Sequence, residues 1–397
     1  MVEIAIAGLS LVIWLYLLIA RGQFWRTDQR LTEDVSPPSK VPSVAIVVPA
    51  RNEADMLPIS LRSLLSQDYP GDFFCVVVDD HSTDQTAAIA QQIAQDYQQN
   101  QQPDVPPGDR FTLLSAKPLP PGWTGKLWAL DQGVRYAIQQ WQPDYLLLTD
   151  ADIQHSPQNL HRLIHRAVGD RREMVSLMVR LRCQSGWEKL LIPAFVFFFA
   201  KLYPFRWVNH PKRKLGAAAG GCSLIQRSAL ERIGGIAAIK DALIDDCTLA
   251  QTIKSSIPES SPSNKIWLGL ATQTYSLRPY DGLEPIWNMV ARTAYTQLNY
   301  SPLLLVGTLA GMAIVYLLPV VALMWGIVTG NLALVGISGL TYILMVLSYL
   351  PMIQFYQLSP LWSLCLPAIA LLYTLMTIDS ARRHWQGMGG AWKGRTY

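Results

Sequence analysis

Three sets of paired acids stand at the ends of apolar runs in this chain: Asp79-Asp80, Asp150-Ala151-Asp152 and Asp245-Asp246. The first two follow Cys75–Val78 and Tyr145–Leu148, stretches with the composition of buried strands. In an open α/β sheet, ligands bind beyond the carboxyl ends of the strands. Carboxylates placed there can hold a ribose, share a hard divalent cation, or take a proton from an attacking hydroxyl. Mg²⁺ needs only one or two protein carboxylates when substrate phosphates supply further ligands, so Asp150 and Asp152 suit such an ion. A cation there would neutralise a departing diphosphate. Asp245-Asp246 follows Ala242-Leu243-Ile244, and partial desolvation of an acid raises its affinity for a proton. Plainer readings stand beside each of these. Asp79–Asp84 could be a strand-to-helix turn with a capping acid, Asp150–Asp152 a solvated pair, and Asp245-Asp246 a helix N-terminus.

The elements that would position these acids alternate. Val44–Val48 is a short continuous apolar run, as a buried parallel strand requires. Ala54–Ser66 has helical spacing through Leu57, Leu61, Leu64 and Leu65. Phe73–Val78 reads as a strand and Asp84–Tyr97 as a helix, followed by a polar, Pro-containing loop over 98–109. Phe111–Leu114 and Tyr145–Leu148 continue the series. The expected fold is α/β, with a mostly parallel central sheet covered on both faces by helices.

Half of the 397 residues are hydrophobic and only 16% are charged, which leans towards a membrane protein. Residues 4–20 form an uncharged run just long enough for a hydrocarbon core of about 30 Å. Arg21 and Arg26 follow it and place the next residues in the cytoplasm by the positive-inside rule. With no basic leading region and no small-residue cleavage site, an anchor over 1–22 is expected rather than a cleaved signal, with a linker over 23–42. Leu303–Val328, Leu332–Leu350 and Leu361–Ile378 are further candidate spans within a C-terminal membrane region, 301–380. One N-terminal and three C-terminal spans would leave the basic, aromatic tail 381–397 outside, whereas its Arg382, Arg383, Lys393 and Arg395 favour the cytoplasm; a re-entrant or interfacial C-terminal segment would reconcile the two. The aromatic segment 190–207, broken by Pro193 and Lys201, is expected to lie in the bilayer interface, with a buried core helix as the alternative. The net charge of +4 and the basic clusters beside apolar residues suit anionic headgroups better than nucleic acid. Five scattered cysteines without a Cys-x-x-Cys give neither a disulfide framework nor a zinc site. His161 and His165, at helical spacing among arginines, read as a solvated helix face.

Pro49–Glu53, Val78–Asp84, Gly125–Leu130, Asp150–Asp152 and Asp245–Leu249 occur in an order and spacing that resemble the family 2 glycosyltransferases. The resemblance covers 43–300, expected as a cytoplasmic domain. It implies a GT-A fold and an inverting transfer from a nucleotide-sugar, with a UDP-sugar as the expected donor. Leu177–Cys183, Pro193–Trp207, Gly220–Cys222, Ser276–Asp281 and Ala291–Tyr295 resemble, more narrowly, the bacterial hopene-associated glycosyltransferases. By that resemblance, Pro49, Ala50, Arg51, Glu53 and Asp80 would cradle the nucleotide, with Lys126 beside it. Asp150 and Asp152 would hold Mg²⁺ or Mn²⁺. Asp246 would be the general base, with Asp245 standing where the family has glutamate.

One departure from the family pattern limits the reading. The Gln/Arg-x-x-Arg-Trp motif of processive members is reduced to Met289–Thr293, which keeps Arg292 as a candidate diphosphate contact and loses the tryptophan. A processive synthase is therefore disfavoured. Gly220, Gly221 and Cys222 allow close backbone approach beside sugar or acceptor, and Trp207 joins them as an expected acceptor-side residue. The expectation is a multi-pass enzyme of the inner (plasma) membrane that glycosylates a lipid hydroxyl, and the resemblance implies a hopanoid-related lipid. The alternatives are a polyprenyl phosphate or carotenoid acceptor, or a non-catalytic membrane scaffold.

Overall fold

Strand β1 (Val44–Ala50) is buried along its whole length because parallel strands flank it on both sides, β2 (Phe73–Asp79) and β4 (Tyr145–Thr149). Successive side chains of a strand point to opposite faces, so Ala45 and Val47 enter one apolar cluster while Val44, Ile46 and Val48 enter the other. The computed structural model describes residues 1–31, 41–100, 110–258, 260–261, 263–388, 391–392 and 395–396. Part of the expected linker, the loop 101–109 and part of the basic tail lie outside those residues.

After helix α1 (Val2–Ile19), the expected alternation runs through β1, α2 (Leu57–Leu65), β2, α3 (Thr86–Asn100), β3 (Phe111–Ser115), α4 (Gly125–Trp141) and β4. Then come β5 (Ile153–Gln154), α5 (Asn159–Gly169), β6 (Met174–Arg180), α6 (Gly186–Leu202), α7 (Phe205–Asn209) and β7 (Cys222–Gln226). The sheet domain closes with α8 (Arg227–Arg232), α9 (Asp245–Ser256), β8 (Ile266–Ser276) and α10 (Leu283–Thr293). Leu61, Ile93 and Leu163 from α2, α3 and α5 cover one face of the sheet, while Val134 and Phe197 from α4 and α6 cover the other. Gly133 lets α4 settle close to the sheet, since a Cβ there would stand 2.5 Å from Val47 Cγ1.

The strand order is β3-β2-β1-β4-β7-β6-β8-β5. The sheet is mixed, which corrects the expectation of a mostly parallel one. β7 runs antiparallel to both β4 and β6, and β5 runs antiparallel to β8. A five-residue strand such as β7 carries no directional signal. Its direction is set by the return of the chain from α7 to Gly220, which no local pattern encodes.

Among the described residues, four helices are long and apolar enough to cross a membrane: Val2–Ile19, Pro302–Thr329, Leu332–Phe355 and Pro360–Trp385. The second comprises α11 (Pro302–Met312), a π turn at Ala313–Leu317 and α12 (Leu318–Thr329). The third is α13 (Leu332–Phe355), and the fourth ends in α14 (Leu366–Trp385). Pro319 has no N–H to offer the carbonyl of Val315, four residues earlier. Trp14 of α1 donates to that carbonyl at 2.8 Å, and Ser10 donates to the neighbouring Ile314 carbonyl at 2.8 Å. The contact of α1 with the π turn therefore satisfies backbone groups that an apolar surrounding would leave unpaired.

Helix α6 starts from a capping box between Ser185 and Glu188 and carries Pro193 within its length. Leu191, Ile192 and Phe197 are fully buried, and Tyr373 of α14 donates to the Leu191 carbonyl at 2.9 Å. Phe197 also meets Tyr349 of α13 with ring centroids 5.1 Å apart. The segment thus packs between the sheet domain and the apolar helices, exposing Trp187 and Leu202 near its two ends.

Candidate functional site

At the carboxyl ends of β1 and β2, two loops are joined by side-chain to backbone bonds. Asn52 accepts from the Thr83 N–H at 2.8 Å, Ser82 accepts from the Asn52 N–H at 3.0 Å, and Thr86 accepts from the Glu53 N–H at 2.8 Å. Asn52 and His81 adopt positive φ, 51° and 53°, which these bonds hold in place. Arg51 donates to the Asp80 carbonyl and lies 3.8 Å from its carboxylate. Pro49 and Ala50 sit in register with Val78 and Asp79. Asp79 Oδ1 is buried with no hydrogen-bond partner, an open acceptor at the strand end.

β4 delivers Asp150 and Asp152. Lys126, in the first turn of α4, lies 3.0 Å from Asp150 and 3.2 Å from Asp245. One ammonium thus joins the strand-end acid to the pair at the start of α9. Burial works against the Lys126 charge, but the adjacent carboxylates outweigh it and hold its pKa above the ordinary value. Gly220 leaves room for this contact, since a Cβ there would meet Lys126 Nζ at 3.4 Å and Asp246 Oδ2 at 3.6 Å.

Asp246 accepts from the Cys247 N–H at 2.7 Å. Burial, reinforced by the charge of Asp245, pushes its carboxyl up to about 7, with Lys126 pulling the other way. An acid with that affinity is poised to accept a proton near neutral pH.

Asp152 is engaged by Arg278, just beyond β8, at 2.7 Å, and the same guanidinium reaches Glu53 at 2.8 Å. Arg278 therefore ties the β1 loop to the Asp150–Asp152 turn. Its motif was visible in the sequence, but its partners lie 126 and 225 residues away, so no local pattern assigned it a role. A second support was missed altogether. Thr274 donates to Asn159, whose amide faces His155 Nδ1 at 2.8 Å; His155 Nε2 faces Thr149, which donates to the Gly221 carbonyl. Burial lowers the His155 pKa to about 3, so the ring is neutral, and this chain of bonds fixes the residue immediately before Asp150.

The remaining expected residues divide. Gly221 packs against Val179 and Ile153, and Cys222 is buried at the start of β7, so both shape the floor. Arg292 is exposed on α10, on the side of Tyr280, a phenol that also senses Arg278 and Asp152. Trp207 lies elsewhere, against Gly22 with Arg21 at 4.9 Å and Arg213 at 4.7 Å from its ring. It stands where α1 meets the sheet domain.

Among the described residues, no group of three or more His, Cys, Asp or Glu side chains converges on a metal position. The acids present suit an ion that is partly held by substrate phosphates. Lys126 takes Oδ1 of Asp150 and Arg278 takes Oδ2 of Asp152, one oxygen of each.

Residues 45–234 match the family described as Glycosyl transferase family 2. The glycosyltransferase match ends before Asp245, so the acid pair, Arg278 and Arg292 lie beyond it. The chain is similar to 4,4'-diaponeurosporenoate glycosyltransferase of Staphylococcus haemolyticus, 29% identical over 150 residues, covering 38% of this chain and 33% of that one. It is also similar to beta-monoglucosyldiacylglycerol synthase of Synechocystis, 46% identical over 59 residues, covering 15% and 12%. The matches span less than half the length of these curated relatives. A solved mannosyltransferase from Pyrobaculum calidifontis, in complex with GDP-Man and Mn²⁺, has a TM-score of 0.54 at 19% identity and covers 96% of this chain and 99% of that one. That likeness, with the mixed α/β sheet, shows a GT-A-like glycosyltransferase fold.

Proposed function

We propose that the protein is a membrane-bound, inverting glycosyltransferase that moves a sugar from a nucleotide-sugar to a lipid hydroxyl. The observation that carries this reading is Lys126, which brings the strand-end acid Asp150 and the Asp245-Asp246 pair into one site. The β1 and β2 loops, with Arg51, Glu53, Asp80 and the open Asp79 Oδ1, receive the nucleotide. Lys126, Arg278 and Arg292 supply positive charge on the diphosphate side. A divalent cation held by Asp150 and Asp152 would add charge neutralisation at the leaving diphosphate.

The transfer is a single displacement. Asp246 removes the acceptor hydroxyl proton, the oxygen attacks the anomeric carbon, and the bond to the nucleoside diphosphate breaks with its electron pair leaving on phosphate. Displacement from the opposite face inverts the anomeric centre. The α1 and C-terminal helices serve as membrane spans, with the sheet domain on the cytoplasmic side by the charge of Arg21 and Arg26. Helix α6 then lies at the bilayer boundary.

The resemblance to hopene-associated enzymes favours a triterpenoid lipid. The named products of the two curated relatives support lipid acceptors generally, and the diaponeurosporenoate enzyme keeps a carotenoid as the second reading. The test is to incubate the purified full chain with membrane lipid extract and a panel of labelled nucleotide-sugars. Label should enter the organic-soluble fraction with one donor and stop on chelation. No transfer with any donor contradicts the enzyme reading, and transfer that survives chelation removes the cation from it.

A further inference from the structure

A cavity of about 890 Å³ lies beyond α9, on the far side of its N-terminus from Lys126. It falls within the range of roughly 300–1,000 Å³ usual for ligand sites. Ile244 and Cys247, which bracket the acid pair, form part of one wall. Another wall is the turn Thr296–Tyr300, directly before Pro302 and the long apolar helix it begins. The cavity therefore lies between the start of α9, where Ile244 and Cys247 flank the proposed base, and the foot of a proposed membrane span.

Its chemistry is selective. Among the described residues that line it, Asp241 is the only charged one, and none is Lys, Arg or His. Several of its hydroxyls already have their hydrogens committed. Thr248 donates to the Ile244 carbonyl at 2.8 Å, Thr252 donates to the Thr248 carbonyl at 2.8 Å, and Thr296 donates to Tyr300 at 3.1 Å. Such oxygens offer lone pairs only. Gln297 donates to the Tyr203 hydroxyl at 2.6 Å, leaving its own carbonyl oxygen as a further acceptor. Trp123, Asn299, Tyr203 and Tyr300 add neutral donors to these acceptors, and a wall of neutral donors and acceptors suits hydroxyl groups. An anionic phosphate would meet Asp241 there and no cation among the lining residues to compensate for its lost water.

We propose that this cavity is the acceptor pocket and that it selects a neutral, hydroxyl-rich lipid headgroup over a phosphate-bearing one. The proposal rests on the glycosyltransferase reading above and narrows its acceptor class. It sets aside the polyprenyl phosphate alternative. The lipid tail leaves along the Thr296–Tyr300 turn towards the apolar helices, and one headgroup hydroxyl reaches Asp246 past Cys247.

Two probes that differ only in the headgroup test this: 1-monooleoylglycerol and 1-oleoyl lysophosphatidate. Binding of each to the full chain in detergent is followed by native mass spectrometry, beside nucleotide-sugar turnover on the same preparation. The wild type should bind the glycerol lipid about tenfold more tightly or better. Thr252→Arg, placing a cation in the wall, should reverse the preference, and Gln297→Leu should weaken the neutral lipid. Equal or tighter binding of the lysophosphatidate to the wild type overturns the proposal, as does a preference that ignores both substitutions. If turnover persists in that case, the pocket assignment alone falls. If no donor is turned over by the wild type, the glycosyltransferase reading falls with it.

Discussion

The two halves of the site are built differently. The proposed nucleotide half, at β1, β2 and β4, has strand-end loops that fasten to each other within about one βαβ unit, Asn52 to Thr83 and Glu53 to Thr86, with Arg278 adding a long-range tie from Glu53 to Asp152. The acceptor half is assembled at long range. Asp245 and Asp246 depend on Lys126 from a helix more than a hundred residues earlier, and their cavity is closed by the turn before α11. Parallel strands β1, β2 and β4 carry the proposed nucleotide platform, while the chain that follows antiparallel β7 brings in Asp245 and Asp246 at the start of α9.

Lys126→Met should break the connection between the halves most severely. It removes the charge shared by Asp150 and Asp245, and a loss of about 10²–10³-fold in kcat is expected. Steady-state kinetics, with a thermal melt to confirm folding, measure it; a kcat within a few-fold of wild type would separate the halves. The acceptor half should also impose the pH dependence. Only ionised Asp246 can accept a proton, so kcat should fall about tenfold per pH unit below about 7. In Lys126→Met, which removes an influence that lowers this pKa, the midpoint should move upward; a midpoint that stays fixed denies the coupling.

On the nucleotide half, Arg278→Met should raise the donor KM about tenfold and cost about 1–3 kcal/mol of stability, because Glu53 and Asp152 lose their shared partner. Nucleotide titration and denaturant melts read both, and an unchanged KM would reduce Arg278 to a structural tie. The smallest effect concerns stability alone. The folded-state pKa of Asp246 is raised, so its folded form holds a proton better than the unfolded chain does. That contribution is present below the unfolded value near 4 and is lost as pH rises towards about 7. Asp246→Asn should therefore raise Tm at pH 8 and leave it unchanged at pH 4. An equal shift at both values contradicts the buried-charge account.

The same division governs what the sequence reveals. Val44–Val48, Phe73–Val78 and Tyr145–Leu148 are read as strands because each is a short continuous apolar run, and the structure places β1, β2 and β4 there. The four apolar helices were equally legible, since length and hydropathy define them locally. Strand direction at β7, the Arg278 bridge and the His155 chain were not, because each arises from residues brought together only by the completed sheet. Trp207 shows the converse error: an aromatic residue near the right segment in sequence was expected at the acceptor, yet the chain turns it towards Arg21.

The central claim is that Asp246 acts on the acceptor while the nucleotide is held elsewhere. It is tested most directly by Asp246→Asn in the full chain, with nucleotide binding by titration calorimetry and sugar transfer measured on one preparation. The account predicts nucleotide affinity within about twofold of wild type and a loss of transfer of about 10²–10⁴-fold. Normal transfer, or a loss of nucleotide binding that matches the loss of transfer, would contradict it.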